Sequence, residues 1–336
     1  MKHLAALLAV VVAALSAGSS SEGATRRPAP VSPPPFAVRD TLVVRVLDVG
    51  QGDATLITNG GSRVLIDGGP DEARMGALLD SLGIDGQTID VVILTHQHAD
   101  HLVGLRALFE SRRNIAVRYF FENGDPYTAA NLRHLRDSIA ARVARHELVY
   151  RDTDDPCANG QPLCTITLKG GAKLHIMRPD PAGHDPNDRS TAVKLVAADS
   201  SFTMWIAGDA EQDAIGWFLN EAHYDRNPGM HVDVLKADHH GSCNGVTNAY
   251  LSALAPSIVV ASVGAVNSYG HMHEQAKALY VAHHVPWYRT DQNGTIEIRA
   301  PGANGARYSV HARNPHTDLS GPSDRVSTQP QCNPVP

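Results

Sequence analysis

Beyond its first fifteen residues the sequence has no apolar run long enough to cross a bilayer as a helix, which excludes a transmembrane bundle. It has no obvious internal repeat, which excludes a solenoid or propeller array. Positive charge is in short supply: 29 Lys and Arg stand against 35 Asp and Glu, the net charge is −6, and no large basic patch stands out. A nucleic-acid binder held by bulk electrostatics is thereby disfavoured, and only a local basic surface stays open. Cysteine is sparse, at four residues. Cys157 and Cys164 lie seven apart in a Pro-, Gly- and Asn-rich loop, which suits a local disulfide in an oxidising compartment. Cys243 stands beside a histidine pair and Cys332 in the tail. A soft metal ligand, a distant Cys243–Cys332 bridge and a small buried side chain are all open readings of Cys243.

What is present begins with an export pattern. Lys2 precedes an uninterrupted apolar run from Leu4 to Leu15, and the small residues Ser16, Ala17, Gly18 and Ser19 follow. Ser19 stands where a lipoprotein would carry its cysteine, so residues 1–19 read as a cleaved signal peptide. The mature chain is expected to be secreted or periplasmic, with no stable membrane insertion; an uncleaved anchor is the alternative. Residues 20–40 form a Pro/Ser-rich linker, 41–300 the folded domain, and 301–336 a tail that is largely disordered. With 43% apolar residues the chain can bury a sizeable core.

Periodicity predicts strands at 42–47, 54–58 and 63–66, a helix at 71–82, a strand at 90–94 and a helix at 101–111. A strand at 115–121 and a long helix at 126–146 follow, the helix with an apolar stripe of Leu132, Leu135, Ile139 and Val143. Its Arg133, Arg136, Arg142 and Arg145 read as a solvated face. Strands are expected at 165–168, 173–177, 191–196 and 202–207, a helix at 210–222 and a buried strand at 232–236. A helix, a strand, a helix and a final hairpin complete the domain at 246–255, 257–262, 273–284 and 285–299. Strands followed by a helix, twice, with polar clusters at strand ends, indicate an α/β sandwich of two sheets covered by helices. Strand termini are where such folds place their ligands.

The densest of those clusters is Thr95-His96-Gln97-His98-Ala99-Asp100-His101, directly after the apolar run Val91 to Leu94. One histidine on a loop is ordinary surface. Three imidazoles and a carboxylate at this spacing are a ligand set, of donors that suit zinc, manganese or iron. Two further strand ends add Asp209, whose bland alternative is a helix N-cap, and His239–His240, whose alternative is a buried hydrogen-bonded histidine. Taken together the three clusters predict a metal-binding protein.

The same strings resemble the metallo-β-lactamase fold superfamily, and within it the soluble hydrolase domain of ComEC-type DNA-uptake proteins and their stand-alone secreted relatives. The resemblance rests on Leu-Asp-Val-Gly-Gln-Gly-Asp-Ala at 47–54, Leu-Ile-Asp-Gly-Gly at 65–69 and Leu-Thr-His-Gln-His-Ala-Asp-His-Leu-Val-Gly-Leu at 94–105. It continues with Asn-Asp-Arg-Ser at 187–190, Ala-Gly-Asp-Ala-Glu at 207–211 and Val-Leu-Lys-Ala-Asp-His-His-Gly-Ser at 234–242. Asn-Ser-Tyr-Gly-His-Met-His at 267–273 and Tyr-Arg-Thr-Asp-Gln-Asn-Gly at 288–294 complete it.

That resemblance implies a four-layer αββα sandwich holding one or two divalent metal ions, zinc with manganese as the alternative, at the rim between its sheets. His96 and His98 would bind one metal, Asp100 and His101 the second, and Asp209 would bridge them. One of His239 and His240 would complete the second site. A bridging water of lowered pKa would be the nucleophile, with Asp100 able to act as a general base. Asp67 would orient a ligand imidazole, with Asn187 and Ser190 beside the ligands. His271 and His273 are candidates for substrate contact or leaving-group protonation. Many superfamily members have a further ligand histidine where this chain reads Asn187-Asp188-Arg189-Ser190, which leaves the first metal's shell open; His184 is a minor candidate to fill it. The implied activity is phosphodiester hydrolysis, on a small-molecule or nucleic-acid substrate. Hydrolysis of another ester or amide (a phosphorylcholine ester, a lactone, a β-lactam) is the alternative, and a non-catalytic extracellular binding module is the reading from another class.

Overall fold

The computed structural model describes residues 41–126, 128–161, 163–220, 229–302 and 306–314; the expected signal peptide, the linker to residue 40 and Cys332 lie outside them. Two sheets make the frame. The first contains β1 (Leu42–Val46), β2 (Thr55–Asn59), β3 (Ser62–Ile66), β4 (Thr88–Ile93), β5 (Ala116–Glu122), β6 (Val149–Asp152), β14 (Ile296–Ala300) and β15 (Ser309–His311). Its spatial order is β15-β14-β1-β2-β3-β4-β5-β6. The second contains β7 (Leu163–Thr167), β8 (Lys173–Met177), β9 (Ala192–Val196), β10 (Thr203–Ile206), β11 (Val234–Lys236), β12 (Ile258–Ala261) and β13 (Trp287–Arg289), in the order β13-β12-β11-β10-β9-β8-β7. Each sheet is antiparallel in one half and parallel in the other, with parallel pairing across β3 to β6 and across β10 to β13.

Alternation along the buried strands sorts side chains into three apolar layers. On β4, Val91 and Ile93 enter the layer between the sheets, and Val92 faces the helices outside the first sheet. On β10, Met204 and Ile206 face inward while Trp205 faces the helices outside the second sheet; Val234 and Leu235 on β11 divide in the same way. A continuous apolar run is what a strand buried on both faces requires. Full burial of each such side chain contributes about 1.5–3 kcal/mol. Outside the first sheet lie α1 (Glu72–Ser81), α2 (Ala99–Leu102) and α3 (Ala130–Ala144). Outside the second lie α4 (Gln212–Asn220), α5 (Asn248–Leu254) and α6 (Glu274–Ala282). Three apolar layers between four structural ones are the expected αββα sandwich. Among the described residues no helix is long and apolar enough to cross a membrane.

Several expectations are corrected. The predicted hairpin at 285–299 does not form: β13 pairs parallel with β12 in the second sheet, whereas β14 pairs antiparallel with β1 in the first, with the short α7 (Thr290–Asn293) between them. The segment read as tail from residue 301 supplies β15, which extends the first sheet by pairing with β14. Strand β6, in a segment for which no element was predicted, joins the other edge of that sheet. The helix expected over 101–111 is α2 followed by a 3-10 stretch, Val103–Phe109. There the Asp100 carbonyl accepts from Asp53 N–H (3.1 Å) and Gly104 N–H donates to the Gly69 carbonyl (2.9 Å), so the α-helical bond between Asp100 and Gly104 is replaced by two bonds to neighbouring turns. On α3 the arginines are not one solvated face: Arg136 pairs with Glu122 at 2.8 Å and Arg142 donates to the Ile115 carbonyl at 2.7 Å. Val143, placed in the apolar stripe, is exposed. The Cys157–Cys164 disulfide is present.

Candidate metal centre

The C-terminal ends of β3, β4, β10, β11 and β12 meet at one rim, and the polar clusters sit there. The turn after β3 carries Asp67, whose carboxylate accepts from Thr95 N–H (2.8 Å), Thr95 Oγ1 (2.7 Å) and His101 Nδ1 (2.8 Å). One buried side chain thus fixes both ends of the histidine loop. After β10, Gly208 has φ +57°, and a Cβ there would collide with the Thr95 side chain, so only glycine lets the two strand ends approach. Asp209 follows it; its N–H donates to Ser190 Oγ at 3.2 Å, and its carboxylate meets imidazoles. After β11, His239 and His240 both adopt left-handed backbone, at φ +46° and +55°. Such a conformation costs a non-glycine residue about 1–2 kcal/mol, and it persists here twice in succession because the surroundings enforce it.

Hydrogen bonding presets the imidazoles. His101 gives its Nδ1 proton to Asp67 and brings Nε2 to 3.1 Å from Asp209 Oδ1. His240 gives its Nδ1 proton to the Ser262 carbonyl (3.0 Å) and brings Nε2 to 3.2 Å from Asp100 Oδ2 and 3.4 Å from Asp209 Oδ2. His239 Nδ1 lies 3.0 Å from Glu211 Oε1, with Nε2 at 3.9 Å from Asp209 Oδ2. Thr95 Oγ1 spends its own proton on Asp67, so it accepts from His96 Nδ1 at 3.2 Å, and His96 Nε2 lies 3.8 Å from Asp209 Oδ2. An oxygen acceptor at Nδ1 places the proton there and leaves the Nε2 lone pair for coordination. With a cation in place of the second proton, four histidines would therefore aim their Nε2 lone pairs at the space beside one carboxylate. His98 Nδ1 stands 3.2 Å from His96 Nε2.

The donor set fits a divalent cation. One nitrogen or oxygen from each of Asp100, His101, Asp209 and His240 lies within 4.8 Å of the others. His101 Nε2 and Asp209 Oδ1 are buried and make no hydrogen bond, which is unusual for polar atoms at that depth. Burial alone would raise the Asp209 pKa, but His101, His240 and His239 outweigh it and hold the carboxyl well below its usual range. For His101, burial opposes protonation and is outweighed by Asp209 and Asp67, which hold the ring well above the ordinary imidazole value; Asp209 and Asp53 do the same for His240. Asp53, brought down to about 2 as Lys236 and His240 overcome its burial, makes a fully buried pair with Lys236 at 2.7 Å. A carboxylate-rich, imidazole-rich pocket of this charge suits zinc or manganese.

A cavity of about 410 Å³ opens beside this cluster and is lined by His98, Asp100, Asp209, His239 and His240, with Gln51, Asn187, Tyr269 and His271 completing its wall. Both members of the histidine pair reach Asp209, and His240 is the one that joins Asp100 and His101. Asn187 donates to Glu211 Oε1 at 2.8 Å, and so buttresses His239 through that carboxylate. His184 is exposed and does not line the cavity. His273 is engaged internally: its Nδ1 accepts from Cys243 N–H (3.2 Å) and its Nε2 donates to the Tyr269 carbonyl (3.0 Å). Cys243 is not a free thiol, which removes it as a soft ligand; its expected partner Cys332 lies outside the described residues. Burial, with His240 and His239 alongside, pushes His271 down to about 2, so that ring is neutral. Gln51, Asp53, Glu211 and Lys236 had no role assigned from sequence, although all four lie inside the matching strings.

The metallo-beta-lactamase superfamily matches this chain over residues 47–119. ComE operon protein 3 of Bacillus subtilis (strain 168) is 26% identical over 296 residues, which are 82% of this chain and 35% of that protein. Competence protein ComA of Neisseria gonorrhoeae is 26% identical over 275 residues, 80% of this chain and 34% of that protein. The chain thus spans about a third of the length of these curated relatives. Among solved structures, the metallo-beta-lactamase fold protein YhfI from Bacillus subtilis is similar at 15% identity and a TM-score of 0.46, over 71% of this chain and 93% of that one. Residues 47–119 thus match the metallo-beta-lactamase superfamily, and competence proteins are among the relatives that the chain resembles over most of its length.

Proposed function

We propose that the chain is a metal-dependent hydrolase of phosphodiesters, with nucleic acid as its substrate class, working outside the cytoplasm. The observation that carries this reading is the convergence of Asp100, His101, Asp209 and His240 beside a cavity large enough for a nucleotide-sized group. The competence proteins among its relatives favour nucleic acid as the substrate class. The Cys157–Cys164 disulfide supports an oxidising compartment.

In this reading Asp100, His101, Asp209 and His240 would hold one cation, and His96 and His98 would offer donors to a second beside Asp209. His239, braced by Glu211 and Asn187, takes the donor place that other superfamily members give to a histidine near position 187. Cations bound there supply charge neutralisation and activation of water for attack at phosphorus. The chain's own work is orientation: Asp67 aims His101, the Ser262 carbonyl aims His240, and Thr95 aims His96. Asp100, held ionised as His240 and His101 outweigh its burial, offers a proton-accepting oxygen at the cavity wall.

The test is metal analysis of the purified full chain alongside an activity panel of single- and double-stranded DNA, a bis-aryl phosphodiester and a chromogenic β-lactam. Cleavage of the phosphodiesters by protein carrying zinc or manganese is expected. Turnover of the β-lactam alone, or no stoichiometric metal, would overturn the reading.

A further inference from the structure

His271 reverses the pattern of the four convergent histidines. The Gly264 backbone N–H, which can only donate, lies 3.1 Å from Gln51 Oε1. That contact fixes which end of the Gln51 amide is oxygen, so its NH2 group is the end that stands 3.3 Å from His271 Nδ1. Nδ1 must accept there, and a neutral imidazole that accepts at Nδ1 carries its proton on Nε2. Where His101, His239, His240 and His96 keep Nε2 for a cation, His271 presents an N–H.

We infer that Gln51 is a positioning residue that fixes His271 as the Nε2–H tautomer, making that ring a hydrogen-bond donor to an anionic oxygen of the substrate in the cavity. The inference rests on the hydrolase reading for the identity of the anion, and on geometry alone for the tautomer. The contact is built from far apart in the chain: Gln51 is 213 residues from Gly264 and 220 from His271. A Cβ on Gly264 would press to 2.6 Å from the Gln51 backbone nitrogen, so the close approach requires glycine. Asn267 ties the loop's two ends together, accepting from His271 N–H at 2.9 Å and donating to the Gly264 and His271 carbonyls at 3.1 Å each. The ring sits on the cavity wall, 4% exposed, its centroid 5.2 Å from that of His239 and 5.8 Å from that of His240.

Chemically, an Nε2–H without a lone pair is excluded as a metal ligand and as a base. It is suited to stabilising charge as it builds on a phosphoryl or leaving oxygen, as neutral imidazole donors do in other enzymes. The role is donation of a hydrogen bond, with the proton staying on His271.

The experiment is long-range proton–nitrogen NMR on the zinc-loaded full chain labelled at histidine nitrogen, with the His271→Gln spectrum used to assign the His271 signals. The expected wild-type result is a proton on Nε2 and none on Nδ1. Gln51→Glu keeps an acceptor for Gly264 N–H but offers His271 Nδ1 an oxygen instead of an NH2; a proton is expected to appear on Nδ1, with zinc content unchanged. Gln51→Leu, which withdraws the donor, is expected to give a mixture of tautomers. On the phosphodiester that the wild type cleaves, kcat should fall about 100-fold in His271→Ala, the scale of one lost oxyanion donor. His271→Gln, which restores an N–H near the same place, should recover much of it. A wild-type Nδ1–H tautomer, or a tautomer unmoved in both Gln51 variants, overturns the inference whether or not any substrate is turned over. A wild type that turns over none of the panel overturns the hydrolase reading and leaves the tautomer to be decided by the spectra.

Discussion

The loop after β4 and the turn after β11 deliver imidazoles to the same carboxylate by different means. In the first, His96, His98 and His101 are spaced so that ordinary extended and helical backbone brings them to one side. In the second, His239 and His240 are adjacent, and neighbours on regular backbone diverge; two left-handed residues in succession turn both Nε2 atoms toward Asp209. The supports differ as well. His101 leans on Asp67, which is 1% exposed, whereas His239 leans on the half-buried Glu211 and has Asn244 Oδ1 within 3.2 Å as a second partner. Spacing specifies the first loop and conformation the second, so the first should depend on its support more steeply.

Removing the point where both meet comes first in size. Asp209→Asn should lower metal content to below one equivalent and cut phosphodiester cleavage about 10³-fold, as several kcal/mol of charge stabilisation disappear. Retention of two equivalents by elemental analysis would show that the two loops bind independently of Asp209. Next is Asp67→Asn, which leaves His101 without its carboxylate; metal affinity measured by competition with a chromophoric chelator should weaken about 10- to 100-fold. Glu211→Gln should cost about 10-fold or less on the same assay, because Asn244 stands in at His239 Nδ1. Equal losses in the two variants would erase the contrast between the loops. Smallest is Asn187→Ala, one bond further out, expected to give a few-fold loss in affinity with thermal stability unchanged.

The pH dependence of stability sharpens the same comparison. In chelated protein His101 and His240 have raised pKa values, so the stability they contribute is fully present below about pH 6.5 and is lost as pH rises through their folded values. Asp100 and Asp209 have depressed values, so theirs is present above about pH 4 and is lost as pH falls. Chelated protein should therefore be most stable between about pH 4 and 6.5. Metal-loaded protein, whose ligands must shed protons, should gain on it as pH rises from about 6 to 8. Thermal melts of both forms across that range make the comparison, and a gap in Tm independent of pH would contradict it.

Much of this was legible in the residues themselves. The histidine loop announces itself because its ligands are contiguous and follow a run that can only be a buried strand. Burial of β4, β10 and β11 on both faces follows from their unbroken apolar runs, Val91 to Ile93, Met204 to Ile206 and Val234 with Leu235. The β13–β14 split was not legible: two short segments either side of Gly294 look the same whether they pair with each other or, as they do, one with nearby β12 and the other with β1 at the far end of the chain. Nor could sequence separate His239 from His240, since identical neighbours are distinguished only by backbone angles that their side chains do not favour. Gln51 was passed over because a polar residue between two glycines reads as turn, and its partners Gly264 and His271 come from the far end of the chain.

The cluster at the rim also has a mechanical meaning. Asp100 and His240 are 140 residues apart, one following a strand of the first sheet and the other a strand of the second, and their side chains lie 3.2 Å from each other. An ion held between them is a rivet through the sandwich, closing a long stretch of chain that the apolar interior alone must otherwise hold shut. Chemistry and cohesion would then share a single fastening, and withdrawing the ion should loosen the seam where a substrate would enter.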